Sequence, residues 1–274
     1  MRLPVLPATV PSLVAFAASG LALASSPAFA QSADELAKKL SNPVASLISV
    51  PFQLNYNSGF GDGDASQTYM NIQPVIPISL GENWNLISRT VLPVVSQDGF
   101  LPDGESQLGF GTTTQSFFLS PKEPTKGGLI WGLGPAFNIP TATDGIADNQ
   151  WGAGITGVAL KQANGWTYGI LANQIWSVTG DDRFGSYSTA FLQPFLSYTT
   201  PEATTFSINT ESTYDWKDEV WTVPVNLTVG QLLKVGGKPL QVTAGVRYWA
   251  DAPEGGPEGW GGRLVVTYLF PTNG

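Results

Sequence analysis

The chain has 274 residues, with 13 basic and 21 acidic side chains giving a formal net charge of −8. That sign argues against nucleic-acid binding by phosphate neutralisation. The absence of cysteine removes disulfides and thiolate metal sites, and the absence of histidine removes the usual base of a hydrolytic site. Charged residues make up 12% and aromatic residues 11% of the chain; the charged share is about half that of a typical soluble protein, as a lipid-facing surface requires.

Residues 1–30 read as a secretory leader. Arg2 supplies a basic start, Val10 to Leu23 an apolar core, and Ala28-Phe29-Ala30 a small-x-small cleavage site. Residues 31–50 follow as a short amphipathic helix. Leu36, Leu40, Val44 and Leu47 recur at helical spacing over Ser32–Ile48, Ser32 and Glu35 form a capping pair, and Pro43 kinks or ends it.

Residues 51–271 carry period-2 alternation instead. It is clearest in Leu129 to Ile139, Trp221 to Gly230, Leu240 to Tyr248 and Arg263 to Phe270. Segments of roughly ten residues suit tilted strands crossing a bilayer. Applied throughout, the pattern predicts twelve strands near 51–60, 67–79, 84–95, 106–119, 128–139, 150–161, 166–178, 186–199, 203–215, 219–231, 239–250 and 260–270. Neither face is cleanly apolar at 106–119 and 186–199. The prolines at 74, 77, 93, 194 and 224 each remove a ladder hydrogen bond and mark expected kinks or bulges.

Short even connections alternate with longer odd ones. The odd connections and their edges hold 15 of the 21 acids, among them Asp98, Asp144, Asp251 and Glu258. Tryptophans cluster at strand ends (Trp84, Trp151, Trp166, Trp216, Trp221, Trp260), as in the girdles of membrane barrels. The fold class expected is therefore all-β: a transmembrane antiparallel up-and-down β-barrel of about twelve strands with a short N-terminal helix, in the bacterial outer membrane. A soluble secreted β-sandwich is the alternative from another class.

Placing Met70, Ile72, Ile76, Ile78, Trp84, Leu86, Leu92 and Val94 toward lipid turns Arg89 inward; facing lipid at mid-depth, it would cost about 2–4 kcal/mol. The expected lumen set is Gln53, Asn55, Asn71, Gln73, Arg89, Gln115, Asn138, Asn209, Glu211, Asn226, Arg247 and Arg263, with Ile87, Val91, Val95 and Phe117 on the same inner face. Such a set lines a selective pore or forms an internal network that plugs the barrel; both readings stay open.

Asp62-Gly63-Asp64 begins like a calcium loop but lacks the later ligands, and Gly109-Phe110-Gly111 has no strand-to-helix context for a nucleotide. No catalytic, cofactor or metal site is expected, and the chain is expected not to be an enzyme. Asp181-Asp182 and Asp215/Asp218 are carboxylate pairs close in sequence, but loop acids are usually solvated charges.

Asn42 to Gln53 (NPVASLISVPFQ), Asn71 to Val95, Phe117 to Pro121, Pro140 to Asp144, Trp151 to Gly154, Gln193-Pro194-Phe195, Trp221 to Pro224 and Leu269-Phe270-Pro271 carry a further signal. In that order they resemble a family of bacterial envelope proteins catalogued under the MetA pathway of phenol degradation and often labelled transporters. The resemblance spans the mature chain and implies an outer-membrane barrel with a transport role for hydrophobic or aromatic compounds. The expected partners are outer-membrane lipid, lipopolysaccharide bridged by divalent cations to the acidic rim, and small hydrophobic or aromatic solutes. The function expected is a passive channel; the alternative is a non-conducting structural or surface-interaction barrel.

Overall fold

A computed structural model describes residues 27–61, 65–101, 104–179 and 185–270. Most of the expected leader, Asp62-Gly63-Asp64 and Asp181-Asp182 therefore lie outside the described residues.

Twelve antiparallel strands close into a barrel behind one N-terminal helix. In chain order they are β1 (Ile48–Phe60), β2 (Ala65–Ile72 and Val75–Leu80), β3 (Trp84–Asp98), β4 (Gln107–Phe110 and Thr113–Pro121), β5 (Leu129–Ile139) and β6 (Trp151–Ala163). There follow β7 (Trp166–Thr179), β8 (Ser188–Thr199), β9 (Thr204–Thr210 and Ser212–Asp215), β10 (Val220–Val235), β11 (Lys238–Asp251) and β12 (Gly259–Phe270). Each strand pairs with its neighbour in sequence, and β1 closes the ring on β12 through pairs from Ile48–Phe270 to Tyr56–Gly262. Closure matters because an open edge in hydrocarbon leaves backbone groups unbonded.

The outer wall is apolar. Leu54, Ile76, Ile78, Leu133, Ile155, Phe206, Leu227 and Leu264 are all exposed on it. Aromatic pairs border this band: Trp84 with Trp131 and Trp166 with Tyr198 toward the short turns, Tyr214 with Trp221 and Tyr248 with Trp260 toward the long loops. No described helix is long and apolar enough to cross a membrane, so the crossing is made by strands.

The prolines act in two ways. At Pro74 the strand is interrupted, yet Phe52–Ile72 and Ser49–Val75 keep one register, as do Ile72–Leu92 and Val75–Arg89. The missing N–H opens a gap without shifting the frame. At Pro224 the pairing with β11 does shift, from Val223–Asp251 to Pro224–Trp249. A second irregularity lies opposite Pro93. Val94 pairs with Phe110 and Val91 with Thr114, so four steps on β4 face three on β3. That extra residue is a β-bulge, with Gly111 N–H donating to the Pro93 carbonyl at 2.9 Å.

The bulge corrects the expected faces. Leu108 and Phe110 point outward before it, so uninterrupted alternation would send Gln115 and Phe117 into the lumen. Beyond the bulge the parity flips: Phe118 is fully buried inside, beside Ile87, while Leu119 is exposed outside. Gln115 pairs with Thr90 on the outer wall, accepting from the Thr90 hydroxyl at 2.6 Å and donating to Ser88 Oγ at 3.1 Å. Gln115 and Phe117 therefore leave the lumen set.

The helix α1 spans Pro27–Leu40, so it begins before Ser32, which is not its cap, and ends short of Pro43. Pro43 cannot continue it, and Asn42 turns the chain by accepting the Val44 N–H on its side chain at 3.0 Å. Ala33, Ala37, Ala45 and Leu47 pack with Ala203, Leu232 and Leu269, and Leu36 and Leu40 lie against them. Val44 joins Ile87, Phe118, Val158, Leu160 and Leu171 on the far wall. Gln162 of β6 donates to the Lys38 carbonyl at 2.8 Å, and Asn85 of β3 to Ser46 Oγ at 2.7 Å. The helix and its following turn thus fill the lumen at the end where the short turns lie.

Candidate functional site

A polar belt crosses the lumen above this apolar fill. Strand parity alone places its members, since Asn55, Gln73, Arg89, Asn209, Asn226, Arg247 and Arg263 all occupy inward positions of seven different strands. At its centre is Glu211, at the gap between the two segments of β9. The gap leaves the register unchanged, because Thr210–Val225 and Thr213–Thr222 are in frame.

Both Glu211 oxygens are taken. Arg263 reaches Oε1 at 2.8 Å and Oε2 at 2.6 Å, a bidentate fork, and Arg247 reaches Oε2 at 2.7 Å. Arg247, 1% exposed, also donates to Asn226 at 2.8 Å and to the Tyr69 hydroxyl, and its guanidinium lies 5.2 Å from the Trp249 ring centre. Asn226 donates onward to Asn209 at 2.9 Å. On the other side Arg263 donates to Asn55 at 2.7 Å, and Gln73 donates to Gln53 at 3.2 Å while accepting from Arg89 at 3.1 Å. Charge-assisted forks of this kind are short and strong, and they cover the cost of burying the charges only because the geometry is complete.

The belt borders two cavities of about 260 Å³ each. Gln53, Gln73, Arg89, Gln193 and Glu211 line both and form the ring between them. The cavity toward the short turns is bounded by Leu40, Ser41 and Pro43 of the fill. The other is lined by Asn71, Thr114, Asn138 and Asn173, with Val91, Ile175 and Phe191 interspersed among them. Asn138 bridges Thr114 at 3.0 Å and the Tyr187 hydroxyl at 3.0 Å. Toward the long loops a wider space of about 640 Å³ opens between Phe60, Tyr69, Asn71, Ile146, Trp249 and Pro253.

The structure thus brings Gln53, Gln73, Arg89, Asn209, Glu211, Asn226, Arg247 and Arg263 together with Asn55, and sets Asn71 and Asn138 on the adjoining cavity. Gln115 lies elsewhere, for the reason given. Sequence reasoning missed Tyr69 and Gln193. Tyr69 alternates in phase with Asn71 and Gln73, which was signal enough; Gln193 lies on β8, where neither face is cleanly apolar.

No protein-family model and no curated protein matches the chain. Solved structures do. An outer-membrane channel from Pseudomonas putida F1 is similar with a TM-score of 0.62 at 17% identity, over 82% of this chain and 94% of that one. Outer membrane phospholipase A from Escherichia coli gives 0.49 at 10% identity over 81% and 90%, and the β domain of the Bordetella autotransporter BrkA 0.42 at 11% over 81% and 100%.

The expectation that the chain is not an enzyme does not stand, because it rested on the absence of one residue type. The missing histidine excludes only mechanisms that need one. With no family model matching, the phenol-degradation resemblance rests on its quoted residues alone. What the closed barrel, its apolar outer band and the likeness to the Pseudomonas structure establish together is the fold of a bacterial outer-membrane β-barrel.

Proposed function

We propose that this barrel is a passive channel for small hydrophobic or aromatic solutes, with its short turns and N-terminal helix toward the periplasm. The observation that carries the reading is the row of lumen cavities, whose walls pair amides and arginines with Val91, Ile175 and Phe191. A wall of mixed polarity suits a weakly polar solute better than bulk water or a simple ion. The similar Pseudomonas channel and the family resemblance support the same direction. The acidic rim, with Asp98, Asp148, Asp251 and Glu258, would hold divalent cations against lipopolysaccharide phosphates.

A second reading has its own observation. The belt satisfies most of its own hydrogen bonds, and the helix fills one end, as a non-conducting structural barrel would require. Conductance of refolded protein in planar bilayers decides between them. Discrete openings whose current is reduced by benzene derivatives are expected of the channel; a silent, heat-modifiable barrel would favour the structural reading.

A further inference from the structure

The three belt arginines are not equivalent. Arg247 and Arg263 spend their guanidinium hydrogens on Glu211, Asn226, Tyr69 and Asn55. Arg89 makes one side-chain bond, from Nη2 to Gln73, and among the described residues forms no direct ion pair. A guanidinium has five N–H donors in a planar fork, so most of this fork is uncommitted. One glutamate also balances only one of three arginine charges in the belt.

We propose that Arg89 is the anchor of a binding site for a small monocarboxylate with an aromatic or other flat apolar body. Its fork matches a carboxylate in two parallel hydrogen bonds. Gln53, Gln73 and Gln193 stand around the same ring and supply further amide donors. The apolar body finds apolar contacts, because Val91, Ile175 and Phe191 are among the residues lining the cavity that Arg89 borders toward the loops. At about 260 Å³ that cavity lies just below the roughly 300–1,000 Å³ of drug-sized pockets. A single ring with one acid group fits this scale. A neutral aromatic would leave the fork unmatched, and an inorganic anion would leave Val91, Ile175 and Phe191 without a partner.

This proposal deepens the channel reading and rests on solute reaching the ring from outside. Its test separates the two by measuring binding and conductance on the same detergent-purified, full-length barrel. By calorimetry, benzoate is expected to bind about tenfold tighter than either benzyl alcohol or acetate, the scale of one charge-assisted pair. Arg89→Gln is expected to abolish the preference for benzoate over benzyl alcohol, and Arg89→Lys to restore part of it. Phe191→Ala is expected to weaken benzoate while leaving acetate unchanged. Should Arg89→Gln fail to form a heat-modifiable barrel, Phe191→Ala and the wild-type ligand series still decide. Equal affinity of wild-type protein for benzoate and benzyl alcohol overturns the site, even in a barrel that conducts. A barrel that binds benzoate selectively and passes no current keeps the site and removes the channel.

Discussion

At the short-turn end, Ala33, Ala37, Leu47, Ala203, Leu232 and Leu269 meet with no charge among them. A few residues along the same lumen, Glu211 holds Arg247 and Arg263 in a ring of asparagines and glutamines. The first region is filled by a helix and turn lying inside the barrel, held mainly by non-directional burial with two hydrogen bonds to the wall. The second is built into the wall and depends on geometry. A seal of the first kind tolerates the loss of single members, because each buried side chain contributes only about 1.5–3 kcal/mol. The second cannot lose one member without leaving charges unmatched.

The sharpest way to break this comparison is Glu211→Gln. It preserves shape and removes the only carboxylate among the described residues that pairs with Arg247 and Arg263. Breaking a buried pair from one side costs about 3–5 kcal/mol, so the denaturant midpoint is expected to fall steeply. Replacing Glu211, Arg247 and Arg263 together by leucine or methionine is expected to recover most of that loss. If Glu211→Gln unfolds at the wild-type midpoint, water in the lumen screens these charges and the belt is no structural tie.

The apolar end is tested by deleting residues 32–39. The barrel wall does not include them, so heat modifiability is expected to persist, with a stability loss of a few kcal/mol from Leu36 and its neighbours. Conductance is expected to rise, since Leu40, Ser41 and Pro43 border the first cavity. An unchanged current would place the limiting constriction at the Arg89 ring instead. The substitution and the deletion thus read different seals, one by stability and one by flow.

How much of this was legible in the sequence follows from where period 2 holds. Twelve strands and the inward face of β1, β3, β10, β11 and β12 could be read from alternation, and with them Arg89, Asn226, Arg247 and Arg263. Pro74 and the gap at Glu211 interrupt strands without altering frame, so the faces beyond them were still correct. The bulge beside Pro93 does alter frame, and so Phe117 was read in place of Phe118. Gly111 in an otherwise regular strand, followed by three threonines, was the available sign, since a glycine there often marks a bulge. The helix end was harder, because Val44 and Leu47 keep helical spacing while serving as separate contacts on two walls.

The smallest effect is expected on the outer wall, where the frame shift left Gln115. Its side chain ties Thr90 and Ser88 within an otherwise apolar band. In lipid a lone amide is costly, but this one has both hydroxyls and the Ser116 carbonyl as partners, so its net burden is slight. Gln115→Leu removes the amide and gains apolar contact, and the two freed hydroxyls can turn to backbone carbonyls in their own strand. The expected change in stability is within about 1 kcal/mol, with conductance and benzoate binding unaltered. Gln115→Leu that altered either lumen property would show that Gln115 faces inward, and that the bulge at Gly111 does not reverse the strand. Were it to alter assembly on unheated gels instead, the amide would be serving a contact between barrels.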